Sequence, residues 1–237
     1  LINGRITQKS FIRWMKFKNF AKKLFNKFDL CFSSNIETIS FLKKLGAKKV
    51  ISFGNLKFSQ SEKNTEKIQK NLKKFIEPRK VWCASSTHFD EENFCGLVHK
   101  NLKKKYKKLL TIIIPRHVNR TQSIKKSLNN LGLKVHTHEP HSKIPDNTDI
   151  YIVNAYGKTK SFYSYCKNVF LGGSIINHGG QNPLEAARFD CNILHGPNVS
   201  NFKEIYAFLN KNEISSLIRS TKMMTKILIK FFSKNKN

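Results

Sequence analysis

Leu171-Gly-Gly-Ser-Ile-Ile-Asn-His-Gly-Gly-Gln-Asn-Pro-Leu-Glu185 packs four glycines, a proline and a carboxylate into fifteen residues. It follows the apolar run Asn168-Val-Phe-Leu171 and leads into Pro183-Leu-Glu-Ala-Ala187, so it reads as a strand, a glycine-rich loop and the first turn of a helix. Glycine lets backbone N–H groups approach phosphate or sugar oxygens closely, and a helix N-terminus adds roughly half a positive charge aimed at the same place. One glycine pair alone would only end a strand or make a turn. Two pairs flanking one loop and leading into Asn182-Pro-Leu-Glu185 point to a binding site, with Gly173 and Ser174 as candidate contacts.

The same strand–loop–helix rhythm extends to both sides of this stretch. Strand-like runs stand at Val81-Trp-Cys-Ala84, Leu109 to Ile114, Leu133-Lys-Val135, Ile150-Tyr-Ile-Val153 and Asn192-Ile-Leu194, with segments of helical length between most of them. Near-continuous apolar strands separated by helices predict a doubly wound parallel sheet covered on both faces, an α/β fold that binds ligands where strands end and helices begin. Polar, basic and glycine residues occupy those ends: Ser85-Ser-Thr-His88, Pro115-Arg-His117, Asn154-Ala-Tyr-Gly157, Gly172-Gly-Ser174 and His195-Gly-Pro197. The closing apolar stripe from Thr221 to Phe232 reads as a packing helix.

Towards the N-terminus, Leu30 to Ser33, Glu37 to Leu45 and Lys49 to Phe53 predict a β-α-β segment whose helix ends at Gly46. Residues 11–28 place Phe17, Phe20, Leu24 and Phe28 at helical spacing among five lysines. That pattern fits either a basic amphipathic helix on an anionic bilayer or a helix packing its aromatic face into a domain. Apolar periodicity stops over Gly54–Thr65 and resumes in a linker helix, Glu66 to Ile76, ended by Pro78. A domain boundary is therefore expected near residue 55, separating 1–55 from 56–237.

The net charge is +29, with 37 Lys against 7 Arg. Such an excess attracts anions, although Lys, Asn, Ile and Phe together also carry the mark of a compositional bias. The lysines are scattered, and no RNA- or DNA-binding module is recognisable, so no nucleic-acid partner is expected. The five cysteines have no C-x-x-C spacing and are expected as buried free thiols. No apolar run reaches the ~18 residues of a membrane span, and no signal peptide is visible. Leu1 stands where a start Met would be expected, which suggests that preceding sequence is missing. The histidines lack metal-ligand spacing and Asp90-Glu-Glu92 reads as the acidic first turn of a helix, so no metal is expected. Neither a Walker-type Gly-Lys-Ser/Thr nor a nucleophile elbow is present.

Ala84-Ser-Ser-Thr-His88, Ile114-Pro-Arg-His117, Tyr156-Gly157, Gly172-Gly-Ser174, Gly179-Gly-Gln-Asn-Pro-Leu-Glu-Ala186, Gly196-Pro197 and Asn201-Phe202 resemble, in order, the motifs of the 3-deoxy-D-manno-octulosonic acid (Kdo) transferases. Leu1-Ile-Asn-Gly-Arg5, Leu45-Gly-Ala47 and Gly54-Asn-Leu-Lys-Phe58 are similar to the same family, so the likeness spans nearly the whole chain. The resemblance implies a GT-B-type glycosyltransferase. Residues 1–55 would end its acceptor domain, and 56–237 would form its CMP-Kdo-binding domain. It implies inverting, metal-independent transfer of Kdo from CMP-Kdo to a lipid A precursor, with no cofactor, at the cytoplasmic face of the inner membrane. Peripheral attachment to an anionic surface, or an anchor in the missing N-terminal part, would hold it there.

Carried over by residue, the family's CMP contacts fall on Pro115, Arg116, Tyr156, Gly157, Lys158, Asn182, Pro183, Leu184 and Glu185. Arg116 would neutralise the phosphate and Glu185 would hold the ribose. The family's catalytic base is a glutamate early in the acceptor domain and outside this chain, which implies that the chain alone is inactive. Two departures stand out: Asn154-Ala-Tyr-Gly-Lys158 replaces the usual Asp-Thr-x-Gly-Glu, and Val118-Asn119 replaces Pro-Glu. The first puts a base where the family has an acid, and motivates an alternative reading as a non-catalytic, degenerate nucleotide-sugar domain acting as a basic module on anionic lipid or nucleic acid.

Overall fold

The computed structural model describes residues 1–52, 67–139 and 142–234. The chain divides into two compact units, Leu1–Glu62 and Lys63–Asn237. The Gly54–Thr65 stretch where a boundary was expected, with its Gly54–Phe58 motif, lies outside the described residues.

In the first unit, helices α1 (Gln8–Met15) and α2 (Lys18–Phe25) precede a β-α-β segment of β1 (Cys31–Ser33), α3 (Ile36–Lys44) and β2 (Val50–Ser52). The two strands pair in parallel, Cys31 opposite Val50. Asn35 caps α3 by accepting the Thr38 N–H at 2.9 Å, satisfying one of the donors left over at a helix start. Gly46 ends the helix at φ +100°, where a Cβ would meet Lys22 Cα at 3.0 Å.

The amphipathic stretch over 11–28 is not one helix. It breaks at Lys16–Phe17, where Phe17 leaves helical geometry. The break sends Ala21 and Phe25 into a core with Ile6, Cys31 and Leu42, while Trp14 meets Phe25 edge-on at 5.4 Å. Phe17 and Phe20 of the predicted stripe are left 69% and 62% exposed.

The second unit is a seven-stranded parallel sheet. Its strands are β3 (Lys80–Thr87), β4 (Leu109–Pro115), β5 (Val135–Thr137), β6 (Ile150–Ile152), β7 (Asn168–Leu171), β8 (Asn192–His195) and β9 (Ser215–Leu217), in the order β5-β6-β4-β3-β7-β8-β9. Side chains alternate across it. Trp82, Ala84, Ile113 and Phe170 join one core, into which α5 (Glu91–Lys103), α6 (Thr121–Asn130) and α10 (Thr221–Lys234) pack. Cys83, Ile112, Val169 and Ile193 join the other, with α4 (Lys70–Ile76), α7 (Thr159–Tyr163), α8 (Leu184–Arg188) and α9 (Lys203–Lys211). Burial on both faces is why the strands read as unbroken apolar runs.

β5 starts two residues later than its apolar signal, and β9 gave none. Ser215 and Ser216 occupy an edge strand whose three residues are too few to show a period. All five cysteines are buried and unpaired. Because β4 lies to one side of β3 and β7 to the other, the chain reverses direction across the sheet there. A crevice at the carboxyl ends of these strands is where such folds bind ligands.

Candidate nucleotide-sugar site

Strand β3 ends in a distortion. Its register against β4 slips between Ser85 and Thr87, and Ser86 takes φ +54°, a costly conformation for a residue with a side chain. The glycine loop closes directly on it. Gly172 N donates to Ser85 O at 2.9 Å, and a Cβ on Gly172 would lie 2.4 Å from Ser86 O, so only glycine fits.

What fills the glycine loop is the protein's own carboxylate. Glu91, at the start of α5 and fully buried, accepts N–H bonds from Gly173 (2.7 Å), Ser174 (3.0 Å), Ile175 (3.0 Å) and His88 (3.0 Å). Successive N–H groups converging on one point form the anion nest that phosphate-binding loops use, and here an internal anion occupies it. Ser174 Oγ donates to Leu171 O at 2.5 Å and accepts the Gly196 N–H at 2.9 Å. Gly173 and Ser174 therefore hold the loop together from within. Asp90-Glu-Glu92 is more than an acidic first turn, since Glu92 is also buried and takes both Arg120 guanidinium nitrogens at 3.0 and 3.1 Å.

In front of this scaffold lies a cleft of about 330 Å³. It brings together Pro115 and Arg116 from the end of β4, Tyr156 and Gly157 from the loop after β6, and Asn182 and Glu185 from the entry to α8. Arg116 is exposed, and its guanidinium has no hydrogen bond or ion pair with any described residue. Pro183 and Leu184 stand behind the wall: Leu184 is 7% exposed within the core, and its N–H is taken by Asn182 Oδ1 at 3.1 Å. Lys158 does not line this cleft. It lines a smaller depression of about 90 Å³ with His138 and Gln69, so the base that replaces the family's acid is turned away.

Ser86, Thr159, Tyr163 and Gln181 complete the lining without having been singled out as contacts. Ser86 and Gln181 stood inside quoted motifs, whereas nothing in the sequence marks Tyr163. Its hydroxyl lies 2.7 Å from Ser85 Oγ, and burial pushes its pKa well above the usual tyrosine value, so it acts as a neutral hydrogen-bonding group. Beside the cleft, His88 Nε2 is 3.1 Å from Gln181 Nε2. Burial first, then the neighbouring His178, His117, Arg120 and Arg116, push the His88 pKa down to about 4, so the ring is neutral at neutral pH. A larger depression of about 610 Å³, bordered by Arg79, Lys103 and Asp149, opens at the amino end of β4, away from the switch point.

Known proteins share these features. Residues 1–60 match the family model described as 3-deoxy-D-manno-octulosonic-acid transferase (kdotransferase). The 3-deoxy-D-manno-octulosonic acid transferase of Rickettsia felis is 32% identical over 231 residues, covering 96% of this chain and 49% of the relative. A probable mitochondrial 3-deoxy-D-manno-octulosonic acid transferase of Arabidopsis thaliana is 32% identical over 238 residues, covering 95% and 53%. The chain thus spans about half the length of these curated relatives.

Among solved structures, the C-terminal CMP-Kdo binding domain of WaaA from Acinetobacter baumannii aligns with a TM-score of 0.64 at 24% identity, over 70% of this chain and 86% of that one. A glycosyltransferase from Rickettsia africae aligns at 0.56 and 14% identity, over 99% and 59%. These two establish the fold, and the sequence relatives carry the kinship. Along the half of the relatives that it spans, the chain belongs to the 3-deoxy-D-manno-octulosonic acid transferase family.

Proposed function

We infer that this chain takes part in transfer of Kdo from CMP-Kdo to a lipid A precursor, and that its second unit binds the donor. The observation that carries this reading is the convergence of residues from three separate strand ends, among them Arg116 and Glu185, on one cleft at the switch point of the sheet. Arg116 offers an unpaired, forked cation to the phosphate, and the Glu185 carboxylate can accept both ribose hydroxyls. The relatives are named for this activity, and the solved domain of similar fold is titled a CMP-Kdo binding domain.

In the inverting reaction an acceptor hydroxyl attacks the anomeric carbon in line, and the bond from that carbon to the phosphate oxygen breaks. The electron pair stays on CMP, and the hydroxyl proton passes to a base. Arg116 favours the step by holding charge that grows on the leaving phosphate. Asn182 and the start of α8 fix the nucleotide so that reacting atoms stay aligned. The turned-away Lys158 leaves the cleft without the basic charge that would favour a degenerate site.

Calorimetric titration with CMP tests the reading. CMP binds the chain, and Glu185→Ala weakens binding by about tenfold or more, the loss expected for charge-assisted hydrogen bonds. Absence of CMP binding, or binding indifferent to Glu185, refutes the assignment.

Attachment at a membrane surface belongs to the same proposal. Among the described residues no helix is long and apolar enough to cross a membrane. The first unit, however, exposes Ile12 (53%), Phe17 and Phe20 among lysines, the composition of an interfacial contact with anionic lipid.

A further inference from the structure

The glycine-loop amides are spent on Glu91, so an anion carried by a ligand has to be met elsewhere on the rim. Beside the cleft stand three imidazoles: the His88 ring centroid lies 4.0 Å from that of His178 and 6.0 Å from that of His117. His88 is buried, while His117 and His178 are exposed and their rings make no hydrogen bond or ion pair with any described residue. The group is continuous with the cleft at two points. Gln181 lines the cleft and contacts His88, and Arg116 lines it and precedes His117 in the chain.

The charges that bear on this cluster are all of one sign. His178, His117, Arg120 and Arg116 each disfavour protonation of His88, and no carboxylate opposes them. Arg120 is already matched by Glu92, whereas Arg116 is not matched. Among the described residues no three His, Cys, Asp or Glu side chains are arranged to hold a metal ion, so the stacked rings do not form a metal centre. Convergent donors with no internal anion have the chemistry of an anion site. A planar carboxylate suits a guanidinium fork flanked by imidazole N–H groups.

We propose that His88, His117 and His178, together with Arg116, form a carboxylate subsite that takes the acid group of the donor sugar beside the nucleotide cleft. The proposal rests on the nucleotide-sugar reading and places a group which that reading leaves unassigned. A sugar acid linked to CMP carries two anionic groups, the phosphate and its own carboxylate, and the rim has a cationic cluster reaching beyond Arg116. Binding both groups would fix the anomeric carbon between them, and would select sugar acids over neutral sugars.

The test is calorimetric titration of the full chain with cytidine, CMP and CMP-Kdo, comparing the unmodified protein with His117→Ala, His178→Ala and the double variant. Both positions are exposed, so their loss leaves the core intact, and circular dichroism checks this. The expected result is that CMP-Kdo binds the unmodified protein more tightly than CMP does. The double variant keeps CMP affinity within about twofold and loses about tenfold or more for CMP-Kdo, the cost of one charge-assisted contact. If CMP weakens as much as CMP-Kdo while cytidine is unchanged, the cluster holds the phosphate. That outcome overturns the carboxylate assignment and leaves the nucleotide reading standing. Unchanged binding of both nucleotides also overturns the subsite, and absence of CMP binding to the unmodified protein removes the nucleotide reading and the subsite together.

Discussion

A single carboxylate organises the rim. Glu91 accepts four backbone N–H groups, three of them from residues more than 80 positions away in sequence. Glutamine at this position keeps the shape but replaces one acceptor oxygen with an N–H₂ that faces donors. Glu91→Gln should therefore cost about 3 kcal/mol of stability, read as a lower denaturation midpoint in urea. It should also weaken CMP binding, because the loop before Asn182 loosens. A midpoint unchanged within error contradicts this account. The role of Glu91 was illegible in the sequence, since an acidic residue at a helix start is ordinarily explained by the helix dipole alone. Arg116, Asn182 and Glu185 were legible because they sit at a strand end or a helix entry, where chain geometry already directs side chains to the rim. Lys158 was not: φ +74° at Gly157 precedes it, and no spacing rule tells which way the chain leaves such a turn.

At the scale of elements, what pins α5 to the sheet is polar as well as apolar. His99 Nδ1 lies 2.8 Å from Thr111 Oγ1 of β4, and its Nε2 lies 3.4 Å from Asp149 at the entry to β6. Asp149 also receives Lys103 Nζ, and the Lys134 N–H at 2.9 Å. Burial alone would raise the Asp149 pKa, but these donors hold it well below the usual carboxylate range. A folded value below the unfolded one, about 3.9, means a stabilisation fully present above that pH and lost as pH falls towards the folded value. The stability difference between the unmodified protein and Asp149→Asn should thus be constant above about pH 5 and shrink below about pH 4. Chemical denaturation across pH 3–7 reads it, and a pH-independent difference would exclude the linkage. Strands of the central sheet were readable because burial on two faces leaves long apolar runs. The break between α1 and α2 was not, because neither proline nor glycine marks it and Phe17 is displaced only by how Trp14 and Phe25 pack.

For the molecule as a whole, a charge of +29 acts at the range of the ionic atmosphere rather than through pairs. On an anionic surface each nearby lysine contributes about 1 kcal/mol, an attraction that salt screens. Exposed Phe17 and Phe20 would add an apolar contribution that salt does not remove. Sedimentation with vesicles of phosphatidylglycerol and phosphatidylcholine should show binding that falls steeply between 50 mM and 500 mM salt, both about and beyond physiological strength. Phe17→Ser with Phe20→Ser should reduce binding at every salt concentration and leave thermal stability unchanged, since neither ring is buried. Equal binding to neutral vesicles would rule out the charge as the cause.

The anion built into the glycine loop also matters to anyone seeking to block the site. In most loops of this shape a free phosphate, a sulfate or the phosphonate arm of a synthetic compound gains affinity from converging amides. Here those amides are occupied by a group tethered to the chain, which no dialysis removes and no competitor at ordinary concentration displaces. A compound extended towards Gly173 would meet a negative charge where it expects a welcome. One grown from the Arg116 side, with its acidic group turned towards His117 and His178, would follow the polarity that the protein has left open.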